Sequence, residues 1–137
     1  MTQEDKDLLL KDLCARLPYG VKAYVKNWSK LDRKWYEGVY TVESIYPSLN
    51  DILVCSERSS VEVIVGYDDY EIKPYLFPMS SMTEEQKEEL QSLIIQDAFG
   101  TPNNTYTPQD FYCKYHLDYR GLIEKDLALD ATNLNIY

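Results

Sequence analysis

The sequence predicts an α+β fold: an N-terminal helix, a small curled antiparallel sheet or barrel of four to five strands, then two to three C-terminal helices. Three observations predict it. Apolar residues near the start repeat at helical spacing, and those between Val21 and Val65 fall at every second position. Helix-start signals then return after Met82. The junction is Ile72 to Leu90, read I-K-P-Y-L-F-P-M-S-S-M-T-E-E-Q-K-E-E-L. Pro74 and Pro78 punctuate an extended aromatic stretch, and Thr83 with Gln86 forms a capping box that opens a helix.

The elements follow in order. Thr2 caps a helix over about 3–16, whose apolar stripe is Leu10, Leu13, Cys14 and Leu17. On that stripe Cys14 is a small core residue. Pro18 ends the helix, because the residue before proline is driven out of the helical region. Val21, Ala23 and Val25 then alternate with Lys22, Tyr24 and Lys26, as in a strand with one wet face. Trp35 to Tyr46 is a longer strand, with Gly38 marking a bulge or a close backbone approach. Ile52–Ser56, Val61–Val65 and Glu71–Phe77 supply three more short strands separated by turns. Curling such a sheet hides edges that would otherwise recruit other chains.

The second helix runs from Glu84 to Phe99 on a stripe of Leu90, Leu93, Ile94 and Ala98, and Gly100 and Pro102 stop it. Thr107-Pro108 is a cap followed by proline at the first helical position. It opens a third helix to about Asp118, which aligns Tyr112, Tyr115, His116 and Tyr119. Leu122 to Leu129 reads as one further helical turn. The expected organisation is one domain over 1–137, with a β-rich part at 18–78, a helical part at 79–131 and a frayed tail at 132–137.

Composition narrows the function. With 137 residues, 45% hydrophobic and 27% charged, the chain is long enough to bury a core without staples. The net charge of −9 argues against nucleic-acid binding, which depends on neutralising phosphates. No export signal, spanning segment or lipidation motif is read, so the expectation is a cytoplasmic protein with no membrane partner. Cys14, Cys55 and Cys113 are an odd count at wide spacing and are read as reduced thiols.

The strings K-D-L-C-A-R-L-P-Y-G-V-K (11–22), Y-E-I-K-P-Y-L-F-P-M-S-S-M-T-E-E (70–85) and D-Y-R-G-L-I-E-K-D-L-A-L-D-A (118–131) resemble a group of proteins. These are short uncharacterised proteins encoded in phage and mobile-element regions of gut anaerobic bacteria. The resemblance covers both ends and the central junction, whereas 27–60 is more individual. It implies a cytoplasmic setting in a bacterial or phage-infected cell. It transfers no activity and no functional residue.

Chemistry-bearing patterns are sparse. Cys113-x-x-His116 would share a helix face, but a structural zinc site needs ligands in close pairs and only one pair exists. The same two residues lack a strained nucleophile turn or an oxyanion-hole motif. Asp68-Asp69 suits a turn, and the five glycines cradle no phosphate. No catalytic set, cofactor or metal is expected.

The most pointed pattern is basic and aromatic. Tyr19, Tyr24, Trp28, Trp35 and Tyr36 interleave with Lys22, Lys26, Lys30, Arg33 and Lys34, five cations against Asp32 alone between 19 and 36. Rings with cations suit a protein-binding hot spot and equally a single-strand nucleic-acid platform, and the plain reading is two amphipathic strands with a solvated basic turn. The expectation is a non-enzymatic accessory protein that binds an unidentified protein partner through an aromatic sheet face. The candidate surface is Tyr24, Trp28, Arg33, Lys34, Trp35 and Tyr36. The alternative is an acidic DNA mimic that inhibits a host DNA-binding protein, with its excess charge between Asp51 and Glu89. The sequence is compatible with a homo-oligomer.

Overall fold

The computed structural model describes residues 1–98 and 106–137. The expected stop of the second helix at Gly100 and Pro102, and the polar loop after it, lie outside the described residues. Helix α1 spans Gln3–Arg16 and opens on a capping box between Thr2 and Asp5, a device worth about 1 kcal/mol. Leu17–Tyr19 adds one 3-10 turn that ends at Gly20, whose φ of 75° is the left-handed conformation glycine adopts without strain. Strands β1 (Lys22–Ser29), β2 (Lys34–Tyr46), β3 (Asp51–Cys55), β4 (Ser60–Ile64) and β5 (Tyr70–Leu76) follow. Then come α2 (Glu84–Ala98), α3 (Pro108–Lys114) and β6 (Leu129–Asp130).

The α+β order holds, with the N-terminal helix before the sheet and two helices after β5. The sheet differs from the expected small curled antiparallel sheet or barrel. Among the described residues it has six strands in the order β4-β3-β2-β1-β5-β6, it is mixed, and it stays open. Closure would need the side of β5 that faces away from β1. The C-terminal end of that side is occupied, because Tyr75 and Leu76 pair in parallel with Leu129 and Asp130, and Phe77 bridges Leu117. Leu122–Leu129 is therefore not helical. The Asp118 carboxylate accepts the backbone N–H groups of Leu122 and Ile123 at 2.8 and 2.9 Å and holds the chain in turns. A two-residue parallel strand has no periodicity of its own to read.

Pro74 sits inside β5 without breaking it. Trp28 N–H reaches Asp69 C=O, so β1 residues two apart from Trp28 face β5 and Ala23, opposite Pro74, faces β2. The missing proline donor therefore lies on the side away from β1 and costs that ladder nothing.

α1 covers the inner face of the sheet. Leu9, Leu10 and Leu13 are buried against Val21, Ala23 and Val25 of the β1 region, Ile52 and Val54 of β3, and Val63 of β4. Each such side chain contributes roughly 1.5–3 kcal/mol when fully buried. Of the expected stripe, Leu10 and Leu13 are buried and Leu17 packs partly buried against the core, whereas Cys14 is exposed and Leu9 is buried in addition. Asp12 and Arg16 share the buried face with these leucines.

The helical part packs separately around Leu93, Phe111 and Leu117. On α2, Leu93 is buried, whereas Ile94 of the expected stripe is exposed. Thr83 and Gln86 make the expected capping box, with each backbone N–H donating to the other's side chain. Helix α3 ends at Lys114, four residues short of Asp118. His116 already has a φ of 57°, so Tyr112, Tyr115, His116 and Tyr119 do not form one helical stripe. In the segment expected to fray, the Tyr137 hydroxyl donates to Tyr75 C=O at 2.8 Å and accepts Lys22 N–H at 2.9 Å.

Candidate interaction surface on the first hairpin

β1 and β2 form a hairpin in unbroken register from Lys22↔Thr41 to Ser29↔Lys34. A strand alternates its faces, so this register decides which side chains meet. Trp28 stands directly opposite Trp35, and their rings meet edge to face with centroids 5.4 Å apart. Cross-strand aromatic pairs of this kind stabilise a sheet by roughly 0.5–1 kcal/mol. The Lys26 ammonium lies over the Trp35 ring, 5.0 Å from its centroid. Tyr24 is on the same outer face and donates to Glu37 at 2.7 Å. The accepting carboxylate, with burial second, pushes the Tyr24 phenol up to about 12.

The six candidates thus divide. Tyr24, Trp28 and Trp35 share the outer face. Lys34 and Tyr36 point to the other face, where the Lys34 ammonium lies 4.9 Å from the Tyr36 ring centroid. Tyr36 donates to Asp32 at 2.5 Å across the turn. Arg33 sits in that turn at a φ of 54°, and its side chain makes no ion pair among the described residues. The turn is the basic tip of the hairpin, flanked by Lys30, which approaches Asp69 at only 3.9 Å while exposed. Trp35 keeps 45% of its surface exposed. The arrangement is an anchored aromatic pair with the exposed Lys30, Arg33 and Lys34 around it.

Cys113 and His116 separate. Cys113 is 1% exposed within α3, and burial pushes its thiol up, the opposite of what a thiolate nucleophile needs. His116 lies beyond the helix end and stacks on Tyr137 at 3.6 Å between centroids. Burial, with help from the Arg16 and Lys22 charges, lowers its pKa to about 4 and keeps the ring neutral. A cavity of about 450 Å³ beside it is lined by Phe77, Gln86, Lys114, Tyr115 and Tyr137 among others. Among the described residues no group of three or more His, Cys, Asp or Glu is placed to hold a metal ion. No helix among them is long and apolar enough to cross a membrane.

Sequence reasoning missed one buried polar assembly. Asp12 and Arg16 are both 0% exposed and joined at 2.7 Å. Arg16 also donates to Leu117 C=O at 2.6 Å, and Arg120 Nε lies 3.2 Å from the second Asp12 oxygen. This assembly ties α1 to the chain after α3. Its signal was present as an acid and a base four apart, a spacing equally common on solvated helix faces. Comparison with family models, with curated proteins and with solved structures gave no match.

Proposed function

We propose that this chain is a non-enzymatic accessory protein that binds another protein through the aromatic end of its β1–β2 hairpin. One observation carries the reading: Trp28 and Trp35 are locked edge to face on the outer sheet surface, with Trp35 still open to solvent and Lys26 above it. A ring held in place loses little entropy on docking, and Trp, Tyr and Arg are the residues that dominate protein-binding hot spots. The overall charge of −9 favours a protein over a phosphate backbone as the ligand. The resemblance of the terminal and central strings supports a phage or mobile-element origin and a cytoplasmic setting.

The test is affinity capture of the tagged protein from nuclease-treated lysate of its native host, read by mass spectrometry, beside a Trp35→Ala control checked for folding. A reproducible partner lost in the control supports the reading. A partner retained by the control, or one displaced by DNA, overturns it. Displacement by DNA would instead support the acidic mimic.

A further inference from the structure

The β1–β2 ladder is longer than the ladder on the other side of β2. β2 pairs with β3 only from Thr41 to Tyr46, whereas it pairs with β1 from Lys34 to Thr41. Residues 34–40 therefore have a second edge. Which backbone groups face it follows from strand alternation. Val42 N–H donates to Val21 C=O, so Val42 faces β1. The register is unbroken back to Lys34, so Tyr40, Gly38, Tyr36 and Lys34 also face β1. Trp35, Glu37 and Val39 face outward, and no described residue pairs with their backbone N–H and C=O groups.

Unpaired rungs are a template for another strand. The side chains around them define what that strand must carry. On the outer face stand the exposed Trp35 and Val39, with Glu37 between them holding the Tyr24 hydroxyl. On the inner face stands Lys34, with Arg33 in the adjoining turn. Arg58 and Glu57, both exposed, lie at the far end and line one hollow with Val39 and Tyr40, so that end is neutral. An occupant matching this edge alternates, with apolar side chains toward Trp35 and Val39 and carboxylates toward Lys34 and Arg33. β4 is another edge of the sheet, but it spans only Ser60–Ile64, presents Glu62 and carries no cation to receive such a segment.

We infer that the outward edge of β2 over residues 34–40 is a strand-addition site for an extended acidic, amphipathic segment of a partner protein. The inference rests on reading the hairpin as a protein-binding surface and specifies how the partner is held: main-chain bonds to Trp35, Glu37 and Val39 give affinity, and the flanking cations and rings give selection. Charge selects the occupant: at the hairpin tip Lys30, Arg33 and Lys34 stand against Asp32 alone, within a chain that is acidic overall.

The experiment uses the full chain, with amide resonances assigned. The probes are a short peptide alternating Glu and Val, its counterpart alternating Lys and Val, the Glu–Val peptide N-methylated at alternate residues, and a single-stranded oligothymidylate. The expected result is that the Glu–Val peptide shifts the Trp35, Glu37 and Val39 amides and binds at least roughly tenfold tighter than the Lys–Val peptide. Backbone methylation of the edge-facing peptide residues removes binding while the protein is unchanged. Val39→Pro, which deletes one outward donor and no β1–β2 bond, weakens binding by roughly tenfold. The inference is overturned if the peptides bind equally or not at all, if shifts fall on β4, or if only the oligonucleotide binds. It is also overturned, with the protein-binding reading intact, if a captured partner is lost with Trp35→Ala and kept with a folded Val39→Pro.

Discussion

The Tyr137 hydroxyl takes the place of a sheet rung beside Lys22. The β1–β5 register stops at Ala23↔Pro74, and the next pair would be Lys22 with Tyr75. Instead the phenol accepts Lys22 N–H at 2.9 Å and donates to Tyr75 C=O at 2.8 Å. One side chain thereby satisfies two backbone groups at the point where β5 turns from β1 to β6. Burial pushes this phenol up to about 12, so it stays protonated and keeps its donor at neutral pH.

Tyr137→Phe keeps the ring stacked on His116 and removes only the hydroxyl. The expected cost is about 1–2 kcal/mol, because two backbone groups lose a partner. Urea unfolding checks it, as a lower midpoint at unchanged slope.

Stability falls in acid through His116. Its folded pKa of about 4 lies below the ordinary value of 6.5. Between these values the unfolded chain binds the proton and the folded chain does not. The contribution is therefore complete above about pH 6.5 and is lost as pH falls toward 4, on the order of 2–3 kcal/mol in all. His116→Asn, a residue that tolerates the left-handed φ, should flatten the stability profile in that window. An unchanged slope would place the proton elsewhere.

Asp12→Ala leaves Arg16 buried without its carboxylate. Removing one member of such a pair costs about 3–5 kcal/mol. Thermal unfolding of Asp12→Ala should drop sharply, whereas the paired change to Asp12→Leu with Arg16→Met should recover much of the loss.

These sites show what the residue pattern could and could not reveal. Local chemistry was legible: Thr83 with Gln86, Thr107 with Pro108, and the alternation of Val21, Ala23 and Val25 all act within a few residues. The helix phase near Cys14 was not, since Leu8, Leu9 and Leu10 offer three adjacent starting points and the buried face takes Asp12 and Arg16 as well. β6 was invisible because its partner, Tyr75–Leu76, is remote in sequence. In the candidate site, the cross-strand meeting of Trp28 and Trp35 depends on hairpin register, and that register also sends Lys34 and Tyr36 to the opposite face. The open edge of β2 depends on where β3 stops pairing, which no local motif encodes.

Backbone exchange in the free protein should alternate along β2. Amides of Trp35, Glu37 and Val39 should exchange rapidly, and those of Tyr36, Gly38 and Tyr40 slowly, because only the second set is bonded to β1. Equal protection along 35–40 would mean that the outer edge is already paired.

Amide hydrogen exchange on the protein alone and bound to its captured partner shows whether the hairpin end is the protein-binding surface. New protection concentrated on Trp28 and on residues 34–40, and absent with Trp35→Ala, is the predicted result. Protection confined to α2 or β4, with 34–40 exchanging as in the free protein, would contradict it.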